Sequence, residues 1–127
     1  MGREYRRHHQ QGIILANRDR SRNELRANIL KALANVTRVC VIENLKDSPY
    51  NVTELAALLG ESNSITSRHL NVLKSAGLIE DEKTGTTVTY SLASTGIPDI
   101  LDSVDEVIKM NYEKYHVFFS KELIKER

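Results

Sequence analysis

The joint Gly60-Glu61-Ser62 constrains this chain more than any other feature of its sequence. Before it, Thr53 can cap a short helix whose apolar face is Leu55, Ala56, Leu58 and Leu59, and Gly60 supplies the stop. After it, Ser62 can cap a second helix, Ser62–Ala76, that turns Leu70, Leu73 and Ala76 inward and ends at Gly77. Two helices with apolar faces and almost no linker must cross and share a core. That geometry is a helix-turn-helix.

The segment after this helix pair narrows the fold further. Leu78-Ile79-Glu80-Asp81-Glu82 and Thr87-Val88-Thr89-Tyr90-Ser91-Leu92 read as two strands, the second alternating Val88, Tyr90 and Leu92. Thr84-Gly85-Thr86 is the turn between them. A hairpin directly after the second helix is a wing. Upstream, Leu25, Ile29, Leu30 and Leu33 fall at helical spacing from Asn23 onward. Asn35 breaks that helix and caps another carrying Val36, Val39, Val41, Ile42 and Leu45, which Ser48-Pro49 ends. The expected architecture is mainly α with a small β-hairpin: four helices, two strands and a fifth helix, a winged helix-turn-helix.

The fifth helix starts near Ile97-Pro98, where proline is tolerated in a first turn. Its apolar stripe runs Ile97, Ile100, Leu101, Val104, Val107, Ile108, Tyr112, Tyr115 and Phe119. That band is longer and more aromatic than a small core needs, so dimerisation through the terminal helices is expected. The domain reading is a basic arm over residues 1–21, the winged domain over 22–96 and the dimerisation helix over 97–127.

A chain of 127 residues suits one core rather than two, since domains typically run to about 100–150 residues. No apolar run approaches the roughly 18–20 residues that span a bilayer, so no membrane partner and a cytoplasmic placement are expected. A lone cysteine, Cys40, rules out an intrachain disulfide and a thiolate cluster. The net charge of +1 hides an uneven distribution. Residues 1–31 hold eight Lys/Arg against three Asp/Glu, residues 32–79 balance at four each, and residues 80–127 hold six against ten. The basic end, with Arg3, Arg6, Arg7, Arg18, Arg20, Arg22 and Arg26, reads either as a solvated tail or as an arm on nucleic-acid phosphate.

Several segments together resemble one family. Ala32-Leu33-Ala34-Asn35-Val36-Thr37-Arg38 looks like an entry into a second helix, with Val36 where relatives usually have proline. Ser62-Asn63-Ser64-Ile65-Thr66-Ser67-Arg68-His69-Leu70-Asn71-Val72-Leu73 looks like a recognition helix. Ser75-Ala76-Gly77-Leu78-Ile79 and Tyr90-Ser91-Leu92 look like the entry to and exit from a wing. In this order and spacing, Ala32–Leu92 resembles the ArsR/SmtB family of winged-helix repressors. The resemblance implies a homodimer that places two recognition helices in successive major grooves of a near-palindromic operator on double-stranded DNA. Family members commonly repress and let go of DNA when an inducer binds.

The residues agree with that implication. A helix N-terminus offers free N–H groups and partial positive charge to a phosphate. Asn63 suits adenine and Arg68 suits guanine, each through paired hydrogen bonds. Ser64 and Ser67 suit short contacts on the same side. The candidate DNA-contacting set is Ser62, Asn63, Ser64, Thr66, Ser67 and Arg68 on the helix, with Lys83, Thr84 and Thr86 on the wing. His69 reads equally as packed or as a DNA contact. The wing tip carries only Lys83 where relatives often have several arginines, and Glu80, Asp81 and Glu82 repel phosphate, so the arm is expected to supply the missing counter-charge.

The family's metal sites transfer poorly. The thiolate site on the third helix would fall at Asn51, Val52 and Thr53, which supply no thiolate. The C-terminal site finds its best register at Ile100, Asp102, Glu113 and His116, three candidate ligands for a divalent metal such as zinc and one residue that cannot ligate. His8 and His9 are conceivable ligands from the arm. Cys40 is either an inert half-core thiol or a redox sensor. An enzyme is not expected, because no nucleophile–base set or phosphate-cradling glycine loop appears. The rival reading is a winged-helix protein–protein interaction module without specific DNA binding, supported by the balanced charge of residues 32–79. RNA binding is weaker, for want of an aromatic stacking platform in the central domain.

Overall fold

A computed structural model describes residues 19–112 together with 114 and 116. The first helix, α1, is described over residues 19–33. It is already helical at residue 19, whereas the sequence pattern extends the arm to residue 21, and an Arg20–Glu24 pair at 3.4 Å lies along its exposed side. Ala32 and Leu33 are buried and Ile29 packs beside them. The chain then turns at Ala34-Asn35. The Asn35 side chain accepts from the Arg38 backbone N–H and opens α2 (Val36–Asp47), which buries Val41, Ile42 and Leu45.

A two-residue strand comes next, β1 (Tyr50–Asn51). It leads straight into α3 (Val52–Leu59), whose cap is Asn51 rather than the expected Thr53. Asn51 accepts from the Glu54 backbone N–H while the Glu54 carboxylate accepts from the Asn51 N–H, so two otherwise orphaned donors are satisfied reciprocally. Gly60 ends α3 at φ 66°, a left-handed conformation that side chains with a Cβ resist. Glu61 N–H bonds back to the Ala56 carbonyl at 3.0 Å, which folds the chain into the turn. Ser62, as expected, caps α4 (Asn63–Ser75) by accepting from the Ile65 N–H.

The wing is β2 (Ile79–Thr84) and β3 (Thr87–Leu92), antiparallel, with Ile79 opposite Leu92 and Thr84 opposite Thr87. Gly85 has φ 64° and Thr86 is not left-handed, so the turn adopts the pattern with glycine at its first central position. The sheet has three strands rather than the expected two, in the order β1-β3-β2. Tyr50 pairs with Tyr90 and Asn51 with Thr89, which ties the start of α3 to the wing. The last helix, α5 (Ile97–Met110), starts with Pro98 in its first turn.

One core serves all of these elements. Val41, Ile42, Leu55, Leu70, Leu73 and Ile79 are at most 2% exposed and come from α2, α3, α4 and β2. Each such side chain contributes about 1.5–3 kcal/mol by leaving water. The helix-turn-helix is therefore held on the side away from its exposed face. Ile97 of α5 joins this core and Ile100 and Leu101 pack against it, whereas Val104, Val107 and Met110 stay exposed. Among the described residues no helix is long and apolar enough to cross a membrane.

Candidate nucleic-acid interface

The faces of α4 are set by its periodicity. Thr66, Leu70 and Leu73, spaced i, i+4, i+7, are completely buried. Ser64, Arg68, Asn71 and Ser75, spaced i, i+4, i+7, i+11, are all exposed and share the opposite face. A helix about 10–12 Å across with its side chains fits a major groove about 12 Å wide. The exposed stripe offers two hydroxyls, one amide and one guanidinium, which are the groups that pair with base edges.

The structure sorts the expected contact residues. Ser64 and Arg68 lie in the centre of the exposed face, and Ser67 is half-buried at its edge. Ser62 is exposed but its hydroxyl serves the cap. The Asn63 amide donates to the Thr53 hydroxyl at 3.2 Å, bracing α4 against α3, so its donor is shared with the scaffold. Thr66 is a correction: it is 0% exposed on the packing side of α4 and cannot touch a duplex in this fold. Its hydroxyl has no hydrogen-bond partner. Asn71, which is exposed and one turn beyond Arg68, is absent from the set expected on sequence alone. A signal for it exists, since 64, 68 and 71 share one face at helical spacing.

His69 faces the other way. Its Nδ1 lies 3.4 Å from an Nη of Arg38, which places the half-buried ring at the seam between α2 and α4. The same guanidinium donates to the Ala32 carbonyl at 2.6 Å and to the Lys31 carbonyl at 3.3 Å, which closes the end of α1.

Lys83, Thr84 and Thr86 are all exposed around the wing tip, as a contact there requires. The acidic run is less repulsive than its composition implies. Asp81 accepts from Lys74 of α4 at 2.7 Å. This hydrogen bond, with the charge attraction of Asp81, raises the Lys74 pKa above the ordinary lysine value. The pair neutralises one of the three carboxylates and tethers the wing to α4.

The positions considered for metal do not make a complete site. Ile100 packs against the core and Asp102 is exposed, while Glu113 lies outside the described residues. The ring of His116 stands 6.0 Å from that of Tyr112. Among the described residues no three His, Cys, Asp or Glu side chains are grouped to hold a metal ion. With an apolar residue at one of four positions, the set does not fit the family's C-terminal site. Cys40 is a half-buried free thiol on α2. Residues 1–18 of the arm, including His8 and His9, and the aromatic residues Tyr115, Phe118 and Phe119 also lie outside the described residues.

Comparison with known proteins places this architecture. Residues 35–81 match the model of a bacterial regulatory protein family, arsR. The chain is 36% identical over 76 residues to the HTH-type transcriptional regulator NmtR of Mycobacterium tuberculosis, a match covering 60% of this chain and 63% of that protein. It is 40% identical over 75 residues to the HTH-type transcriptional regulator Rv2034 of the same organism, covering 59% of this chain and 70% of the relative. Among solved structures, the homodimeric winged helix-turn-helix DNA-binding domain of Mb0332 from Mycobacterium bovis superposes with a TM-score of 0.67. That match has 27% identity and covers 78% of this chain and 90% of the other. The residues matched by the family model include the helix-turn-helix with its exposed α4 face, and this chain belongs to the ArsR family of winged-helix bacterial transcriptional regulators.

Proposed function

We propose that this protein is a homodimeric repressor that reads a near-palindromic operator through α4. The observation that carries the reading is the stripe Ser64, Arg68, Asn71 and Ser75, exposed on a helix whose opposite face is fully buried. Such a helix presents base-reading groups on a rigid support, which limits the entropy lost on binding. Arg68 pairs with guanine and Asn71 or Asn63 with adenine; each good pair discriminates by about 1–3 kcal/mol. Repression is the simplest output, because occupancy of the operator by itself excludes other proteins from that duplex.

The dimer is supported by the apolar surface that α1 and α5 leave uncovered. Leu25 and Leu30 of α1 are 67% and 57% exposed, and Val107 and Met110 of α5 are 58% and 85% exposed. The Mycobacterium bovis relative is itself a homodimeric domain. We assign dimerisation to residues 97–127 with α1, the winged domain to residues 22–96, and the protein's place to the cytoplasm, where an operator is accessible.

A titration of labelled duplex with the full chain at increasing salt tests the reading. Duplex binding with a steep salt slope, and loss of sequence preference in Arg68→Ala, are expected. Duplex binding that is absent at low salt, beside a salt-insensitive complex with another protein, would instead establish the interaction-module reading.

A further inference from the structure

Beside the reading face, α1, α2 and α4 enclose an open groove of about 680 Å³. Three cations line it, Lys31 from α1, Arg38 from α2 and Arg68 from α4, with the neutral hydrogen-bonding side chains Asn28, Asn71 and Ser75. Among the described residues no carboxylate lines it. We infer that this groove is a binding site for the phosphodiester backbone of one DNA strand, next to the base pairs that α4 reads. The inference rests on the proposed DNA-binding function and deepens it by giving the backbone a place on the protein.

The charge pattern carries the argument. The helices and first turns between residues 32 and 79 hold equal numbers of cationic and anionic side chains, which taken as composition gives no attraction for DNA. In space Lys46 lines a groove with Asp99 and Asp102 and Lys74 pairs with Asp81, which leaves the other two cations for this groove. Arg38 and Arg68 face the groove with Lys31, whereas Glu43 lines a separate apolar groove with Leu30 and Val104. Glu54 is spent on the α3 cap. Three like charges around one concavity repel each other, and an anion between them relieves that repulsion.

Arg38 is prepared for the task. Its guanidinium is fixed by the Ala32 and Lys31 carbonyls, so the cation is oriented before any ligand arrives. Arg68, Asn71 and Ser75 belong both to the groove wall and to the exposed stripe of α4. With α4 filling a major groove about 12 Å wide, a strand bordering that groove runs along the flank of the helix. The flank that holds Lys31 and Arg38 is where a phosphate meets positive charge.

The test uses the full chain, with two labelled duplexes of equal length, one selected from a random pool for binding and one with its sequence scrambled. Lys31→Gln is the informative variant, because Lys31 is exposed and its side chain makes no bond that the fold needs. Lys109→Gln, on the exposed side of α5, is the control. On losing one phosphate contact the salt slope falls by about 0.9, so the gap between Lys31→Gln and wild type closes by about 3.5-fold between 50 and 200 mM salt. The loss should be equal on both duplexes, and Lys109→Gln should match wild type. A wild-type slope in Lys31→Gln overturns the groove while leaving the DNA-binding reading intact, as does a loss confined to the selected duplex. Inorganic phosphate that displaces duplex at constant ionic strength from wild type but not from Lys31→Gln would make the groove a small-anion site and overturn the assignment to backbone. Failure of wild type to bind either duplex overturns both readings.

Discussion

Thr66 shows why residue type at a motif position does not settle a role. It stands between Ile65 and Ser67 in a run of small polar residues, yet its spacing from Leu70 and Leu73 puts it on the buried side of α4. The hydroxyl there is dehydrated and without a partner, which costs more than a methyl of the same shape would. Thr66→Val is therefore expected to melt at the same temperature as wild type or up to several degrees higher, with duplex affinity unchanged. A loss of affinity with intact stability would return Thr66 to the contact surface. At Arg68 the opposite holds. Arg68→Ala should lose about 1–3 kcal/mol of binding on the preferred duplex and relax the base preference at one position, with little change in the melting temperature. Competition titrations against single-base variants of the duplex would measure it.

At the scale of elements, the cap of α3 is the clearest case for local chemistry. Asn51→Ala removes one half of a reciprocal cap and should cost about 1 kcal/mol in a denaturant titration. The residue pattern Asn51-Val52-Thr53-Glu54 contains this signal, since Glu54 falls three residues after Asn51 but only one after Thr53. The caps at Asn35 and Ser62, the stop at Gly60 and the wing turn at Gly85 are legible in the sequence because each is a single residue with a strong conformational preference. Strand β1 is not, because two residues carry no alternation; its existence depends on Tyr90 and Thr89 being nearby in space. The groove around Lys31 and Arg38 is illegible for the same reason, as its lining comes from three helices.

The Lys74–Asp81 link is another contact that only the fold brings together. Because the pKa of Lys74 is raised in the folded state, its contribution is present below the ordinary lysine value and is lost as pH rises through the higher one. Lys74 therefore keeps the charge that the wing tether needs through neutral pH and loses it in strong alkali. Asp81→Asn should return the Lys74 pKa toward its ordinary value, as measured by NMR titration of the lysine side chain. An unchanged titration in that variant would mean the pair does not persist in solution.

For the whole molecule, the division of labour depends on which faces are covered. The core of α2, α3, α4 and β2 fixes the reading helix, while α1 and α5 keep apolar side chains in water. In the proposed dimer, burying those side chains against a second copy would set two α4 helices at a fixed separation. Val107→Glu places a charge in that surface and should weaken self-association by on the order of 100-fold, shifting sedimentation toward monomer and lowering operator affinity with it. Sequence periodicity reveals the stripe on α5 but not how it divides: Ile97 enters the core, Ile100 and Leu101 pack on it, and Val104 and Val107 stay exposed.

Selection of bound duplexes from a random pool by the full chain tests the central claim most directly, because it reports base preference and dimer geometry together. Two inverted half-sites with centres about 10–10.5 base pairs apart, or a multiple of that, are expected, and Arg68→Ala should lose a guanine from each half-site. A pool that shows no enriched sequence, or half-sites at irregular spacing, would contradict a dimer that reads DNA through α4.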